Sequence, residues 1–213
     1  MGQAFVVIQG KLKANTEAQS LYQYYLRGTV PLMQKYQVGI LAVGGGISSQ
    51  YTTDLFPVNA LLYFPSLEHV HSFFTDSDYI HIKQTYRDPA YEYLYLSAFE
   101  TLADSNDPLS PLSDGTVTME LCRDAQVVDR ANEKQGDLQN HKQASQGAIK
   151  ADDPYLFAQG RTMSFMNRDW SYLRLWAPSA TINKSSSYSD RDTLSHLSHY
   201  CVTQWMNRPP KSV

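Results

Sequence analysis

The sequence is poor in cysteine, in clustered charge and in long apolar runs, and each shortage excludes something. Two cysteines in 213 residues, Cys122 and Cys201, are too few and too far apart for a disulfide framework. They are expected as buried free thiols in a reducing cytosol. Lys and Arg number 18 against 21 Asp and Glu, for a net charge of −3 and a pI of about 6.0. No basic block stands out, so no phosphate-tracking surface and no nucleic-acid partner are expected. No apolar run is long enough to span a bilayer. The opening MGQAFVVIQGKLK has neither the basic start nor the uninterrupted apolar core of a secretory signal. Val6 stands where a myristoylation signal needs Ser or Thr. These absences point to a cytoplasmic protein with no membrane partner. CxxC, GxGxxG and Ser/His/Asp signatures are missing too, so no cofactor and no metal is expected.

What is present is tyrosine. There are 15, and 11 of them precede residue 104. The chain is organised around residues 59–100, NALLYFPSLEHVHSFFTDSDYIHIKQTYRDPAYEYLYLSAFE. The Val- and Ile-rich stretch Ala4 to Lys13 reads as a strand, with its first half buried on both faces. Asn15 or Thr16 can cap the helix from Ala18 to Tyr36, which Pro31 should kink and Gly39 should stop. Ile40 to Val43 is a short strand running into Gly44-Gly45-Gly46 and an insert from Ile47 to Pro57. Asn59 to Phe64 is a third strand, closed by Pro65. Ser66 caps a helix with Val70, Phe73 and Phe74 on its buried side. Asp76 or Ser77 caps a second short helix carrying Tyr79, Ile80, Ile82 and Lys83. Tyr91 to Phe99 is the fourth strand. Period-two alternation puts Tyr91, Tyr93, Tyr95, Ser97 and Phe99 on one face and Leu94, Leu96 and Ala98 on the other.

The order β-α-β-β-α-β is the split pattern of a ferredoxin-like α+β sandwich. Its helices cover one sheet face, so the tyrosine-bearing face needs another layer, from a partner or from the same chain. Residues 3–101 resemble the dimeric α+β barrel superfamily, and within it the DUF1330 branch. The resemblance is carried by Ala4-Phe5-Val6-Val7, by Phe64-Pro65-Ser66-Leu67-Glu68, by the Phe73…Ser77…Tyr79 segment and by Arg87. It implies a domain over residues 1–103 that pairs as a homodimer or within an internal pseudo-dimer.

Residues 104–115 read as a polar linker. In the second region, 116–213, Thr116 to Cys122 is a plausible strand. Residues 124–151 are polar and read as a solvated helix or a loop. Tyr155 to Met166 and Ser171 to Ala177 read as strands joined by a turn at 167–169. Asp190 opens a helix to Met206 with Leu194, Leu197, Cys201 and Trp205 on one side. That gives β-α-β-β-α with no clear fourth strand. It is either a divergent copy of the first domain or an unrelated cap.

Candidate chemistry follows from residue type. Tyr91, Tyr93 and Tyr95 would either line a ligand pocket or form an ordinary sheet-to-sheet interface. His71 and His81 are candidate proton carriers near neutral pH, and His69 is too close in sequence to His71 to share a helical face for a metal. His196 and His199 sit three apart on the expected last helix, without a third ligand. Arg87 could fork onto a substrate carboxylate or pair with Asp88, Glu92 or Asp76. Phe73 would contact the substrate. In the wider superfamily that the chain resembles, aromatic polyketide cyclases use a His and a Tyr around the helical segment; Tyr79 occupies the approximate place of the Tyr, and no His matches the other cleanly. Two readings result. One is a cofactor-independent enzyme of cyclase, isomerase or oxygenase type, acting on an apolar carbonyl-bearing small molecule. The other is a non-catalytic ligand-binding or assembly protein of the same fold.

Overall fold

The computed structural model describes residues 2–44, 58–101, 115–122, 156–167, 170–176 and 196–202. The elements of the first half are β1 (Ala4–Leu12), α1 (Thr16–Lys35), β2 (Gly39–Gly44), β3 (Val58–Phe64), α2 (Leu67–Thr75), α3 (Ser77–Ile82) and β4 (Tyr91–Thr101). A π-helical turn, Lys83–Arg87, and a three-residue helical end, α4 (Asp88–Ala90), join α3 to β4. The second half contributes β5 (Gly115–Cys122), β6 (Leu156–Arg161), β7 (Tyr172–Trp176) and β8 (His196–Val202). The expected linker, the glycine-rich insert and the polar stretch 124–151 lie outside the described residues. No described helix is long and apolar enough to cross a membrane.

The caps that the sequence announces form. The Asn15 side chain accepts from the Ala18 amide at 2.7 Å, and Ser66 and Asp76 cap α2 and α3 in the same way. Pro31 does not split α1, which runs through it on an exposed face. The helix stop falls on Gln37 and not on Gly39. Gln37 adopts φ 55°, its amide donates to the Gln34 carbonyl, and Val38 donates to Met33 at 2.8 Å. This is a Schellman ending with a side chain where glycine is usual.

All eight strands form one antiparallel sheet in the order β2-β3-β1-β4-β6-β7-β5-β8, and β8 packs beside β2, so the sheet curls on itself. The first four strands take the order 2-3-1-4. The last four, counted from β5, take 2-3-1-4 as well. The stretch expected as a final helix is therefore β8, paired with β5 from Gly115↔Val202 to Leu121↔His196. Leu197 and Cys201, four apart, fit a helical stripe and a period of two alike, and pairing with β5 decides for the strand, so the helical spacing expected of His196 and His199 does not arise.

Two cores follow from the strand faces. On the concave side, Phe5, Val7, Leu61, Tyr63 and Phe99 of the first half meet Met119, Leu121, Leu173 and Leu175 of the second. On the convex side, Val6, Leu62, Phe64 and Ala98 pack under Val70, Phe73, Phe74 and Tyr79. Each fully buried Phe there is worth about 1.5–3 kcal/mol. Trp170 and Ser171 run so close to β6 that a Cβ at Gly160 would collide with the Trp170 carbonyl oxygen, so this position has room for glycine alone.

Candidate functional site

The polar centre of the first half lies under the helices. Tyr79 is 1% exposed, wedged against Phe73 and Phe74 with ring centroids 4.8 and 5.1 Å away. Eight residues on comes Arg87. Along a regular α-helix two such side chains would diverge by about 80°. The π-helical turn, in which the Asp88 amide donates to the Lys83 carbonyl five residues back, widens the coil and brings Arg87 over Tyr79. Arg87 Nη1 donates to the Tyr79 hydroxyl at 2.7 Å. Its Nε and Nη2 donate to Asp88 Oδ1 at 3.0 and 2.9 Å, and Lys83 Nζ reaches Asp88 Oδ2 at 2.6 Å. Tyr25, from α1, lies close enough to the Tyr79 hydroxyl and the Arg87 guanidinium to influence both. Beside it Tyr22 meets Tyr91 edge-on at 5.8 Å.

Burial decides the protonation of this cluster. It pushes the Tyr79 phenol well above its usual value, and Tyr25, Tyr22 and Tyr91 upward as well, against the lowering pull of Arg87 or of neighbouring hydroxyls. Burial also works against the Arg87 charge, but Tyr79, Tyr25 and Asp88 outweigh it, and the guanidinium keeps its proton more firmly than usual. Asp88 is held below the usual carboxylate range: burial opposes its charge, and Lys83 and Arg87 prevail. At neutral pH the centre is thus a guanidinium with protonated phenols, a set of hydrogen-bond donors aimed into an aromatic shell.

The predicted residues divide among three places. Tyr79, Arg87, Phe73 and Tyr91 come together on the helix side. Tyr91 does not share a face with Tyr93 and Tyr95. Leu12 stands opposite Tyr91 while Lys11 stands opposite Tyr93, so Glu92 is an extra residue, and this bulge turns Tyr91 under α1 beside Ala18. Tyr93 and Tyr95 point to the concave side, half-buried, with rings 5.6 Å apart. His71 and His81 are exposed on their helices and do not join the cluster; His71 lies 6.3 Å from the Phe165 ring. His69 Nδ1 bonds the Ser66 hydroxyl at 2.9 Å. Of the partners weighed for Arg87, Asp88 is the one it takes. Sequence reasoning missed Tyr22 and Tyr25. Their spacing of three on α1 was the available signal, since it puts two phenols on one helix face.

No protein-family model matches the sequence, and no curated protein matches it. Solved structures do. An anthrone oxidase-like protein matches over 100% of this chain and 95% of its own, with a TM-score of 0.55 and 12% identity. A proposed monooxygenase from Fusobacterium nucleatum covers 98% of this chain and 95% of its own, with a TM-score of 0.48 and 12% identity. A DABB-family protein with a ferredoxin-like fold from Mesorhizobium loti covers 48% of this chain and 100% of its own, with a TM-score of 0.34 and 10% identity. The likeness is one of fold alone, an α+β chain whose antiparallel sheet curls on itself.

Proposed function

We propose that this chain is a cofactor-independent enzyme acting on an apolar, enolisable, carbonyl-bearing small molecule. The observation that carries the reading is the buried donor set, Arg87 bonded to Tyr79 at 2.7 Å with Tyr25 beside them. Protonated phenols beside a guanidinium are poor bases and good donors. They suit a carbonyl oxygen that becomes an oxyanion as the neighbouring carbon gives up its proton to solvent water. The enolate so held reprotonates elsewhere in an isomerase, attacks a second carbonyl in a cyclase, or meets dioxygen in an oxygenase. Phe73 and Phe74 would receive the apolar body. The fold-mate described as anthrone oxidase-like agrees with the third course.

The test is dioxygen uptake with anthrone and no added metal or cofactor. Wild-type protein should accelerate conversion to anthraquinone, which consumes one O2 and releases one water. Tyr79→Phe and Arg87→Gln should each lower the rate by about 10²-fold or more. Wild-type protein no faster than buffer removes the oxygenase course, and both variants turning over at the full rate removes the site.

A second reading, a ligand-binding or assembly protein, is favoured by one fact: Arg87 is already satisfied within the chain by Asp88 and Tyr79. On that reading the same variants change melting temperature alone. Two finer points belong to the proposal. The DUF1330-like character of residues 1–103 rests on the motifs quoted above. The repeated 2-3-1-4 strand order supports the second half as a divergent copy, which makes the molecule a pseudo-dimer in one chain, working in the cytoplasm.

A further inference from the structure

The concave face of the sheet carries a polar row that the helix-side cluster does not use. Register places Asn59 of β3 and Tyr95 of β4 directly opposite Gln9 of β1, on the face that also bears Val7, Leu61 and Phe99. Side chains opposite one another in antiparallel strands share a face at about 5 Å. Ser97 follows Tyr95 on that face, one row deeper. Gln9 is 2% exposed, and its Nε2 has no hydrogen-bond partner among the described residues. A buried donor left unpaired destabilises a fold, and apolar side chains of similar size are available to a strand. Its presence one row beyond the apolar Val7 and Leu61 marks a place where an acceptor is expected to arrive.

The wall beside this row is also thin. β6 pairs with β4 only from Ala98↔Arg161 to Thr101↔Ala158. Farther along β4, towards Tyr95 and Tyr93, Asn167 takes over. Its side chain accepts from the Leu96 amide at 2.8 Å and donates to the Leu94 carbonyl at 2.7 Å. Two half-buried tyrosines, still paired with β1, therefore stand where the pairing of β4 with β6 has ended.

We propose that the barrel lumen binds a second small molecule at Gln9, distinct from anything held at Arg87. The ligand is neutral, with an acceptor oxygen (ketone, amide or hydroxyl) on an apolar body. Neutrality follows from the unpaired donor, which is an uncharged amide. The nearest cation in register, Lys11, is already paired with Glu92 at 2.8 Å. The acceptor oxygen faces Gln9 Nε2, and the apolar body lies against the half-buried rings of Tyr95 and Tyr93.

The test uses the full-length protein labelled with nitrogen-15, and acetophenone, benzamide and benzyl alcohol as probes. The Gln9 side-chain amide pair is identified by its loss in Gln9→Met. At least one probe should shift that pair, and α-methylstyrene, which keeps the shape of acetophenone without its oxygen, should not. Gln9→Met should melt above wild type and lose the probe-induced rise in melting temperature. The proposal falls if none of the three probes moves the pair. It falls equally if the pair shows a long-lived water that every probe leaves in place. A trapped water, and not a ligand, would then be its partner. Should the Met variant not fold, the wild-type amide shifts decide alone, with the pair assigned by Gln9→Asn. Because nothing here reads turnover, a negative result leaves the helix-side reading standing, and loss of that reading leaves this one.

Discussion

At the scale of single residues, small groups set local stability in ways that can be measured. Asp76 is held at about 2, below the usual 3.8, by its hydrogen bond from Lys35 and then by the Tyr36 hydroxyl, which donates at 2.7 Å. A depressed carboxylate stabilises the fold above its unfolded value and ceases to as pH falls through its folded one. Asp76→Asn keeps the helix cap and loses the charge. Unfolding free energies from urea titration should therefore be higher for wild type by less than about 1 kcal/mol above pH 4 and converge near pH 2. Gln37 occupies a left-handed conformation that costs a side chain energy, so Gln37→Gly should gain about 1 kcal/mol, read by thermal melting. Residue-scale chemistry was partly legible. Tyr79, Arg87 and Phe73 were read from position and do meet. The exposed His71 and His81 were read from type alone, and type does not say which way a helix turns.

At the scale of elements, the periodic segments were readable and the borrowed ones were not. β1, α1, β3, α2 and β4 follow from alternation, caps and a Pro-Ser turn, because each carries its own instruction. β8 does not, because it is a strand by virtue of β5 beside it. The bulge at Glu92 was also hidden: one extra residue reverses a face, and no residue type announces it. The connection after β6 shows an element held by side chains. Besides its two amide bonds to β4, Asn167 donates its own backbone amide to Leu96 at 3.4 Å, while Phe165 stacks on Phe74 at 4.8 Å. Asn167→Ala should lose about 1–3 kcal/mol by leaving two β4 groups without their partner. Hydrogen exchange should rise at Leu96 first, and unchanged protection there would refute the clamp.

At the scale of the molecule, the sheet face that needed a second layer has one, and the chain supplies it itself through β5, β6 and β7. A fragment ending at residue 103 would uncover Phe5, Val7, Leu61 and Phe99. Exposed apolar faces of that kind associate. Sedimentation should find the fragment as a dimer or larger, and the full chain at its own 24.1 kDa. A folded, monomeric fragment would contradict the packing account. An eight-strand ring drawn from a single polypeptide has one more effect. Where two identical subunits close a ring, every mutation is inherited by both sides at once, and neither side can specialise without burdening its twin. Here β4 against β6 and β8 against β2 are spelled by different stretches of sequence. Either junction, and whatever lodges near it, is free to evolve while the other stays as it was.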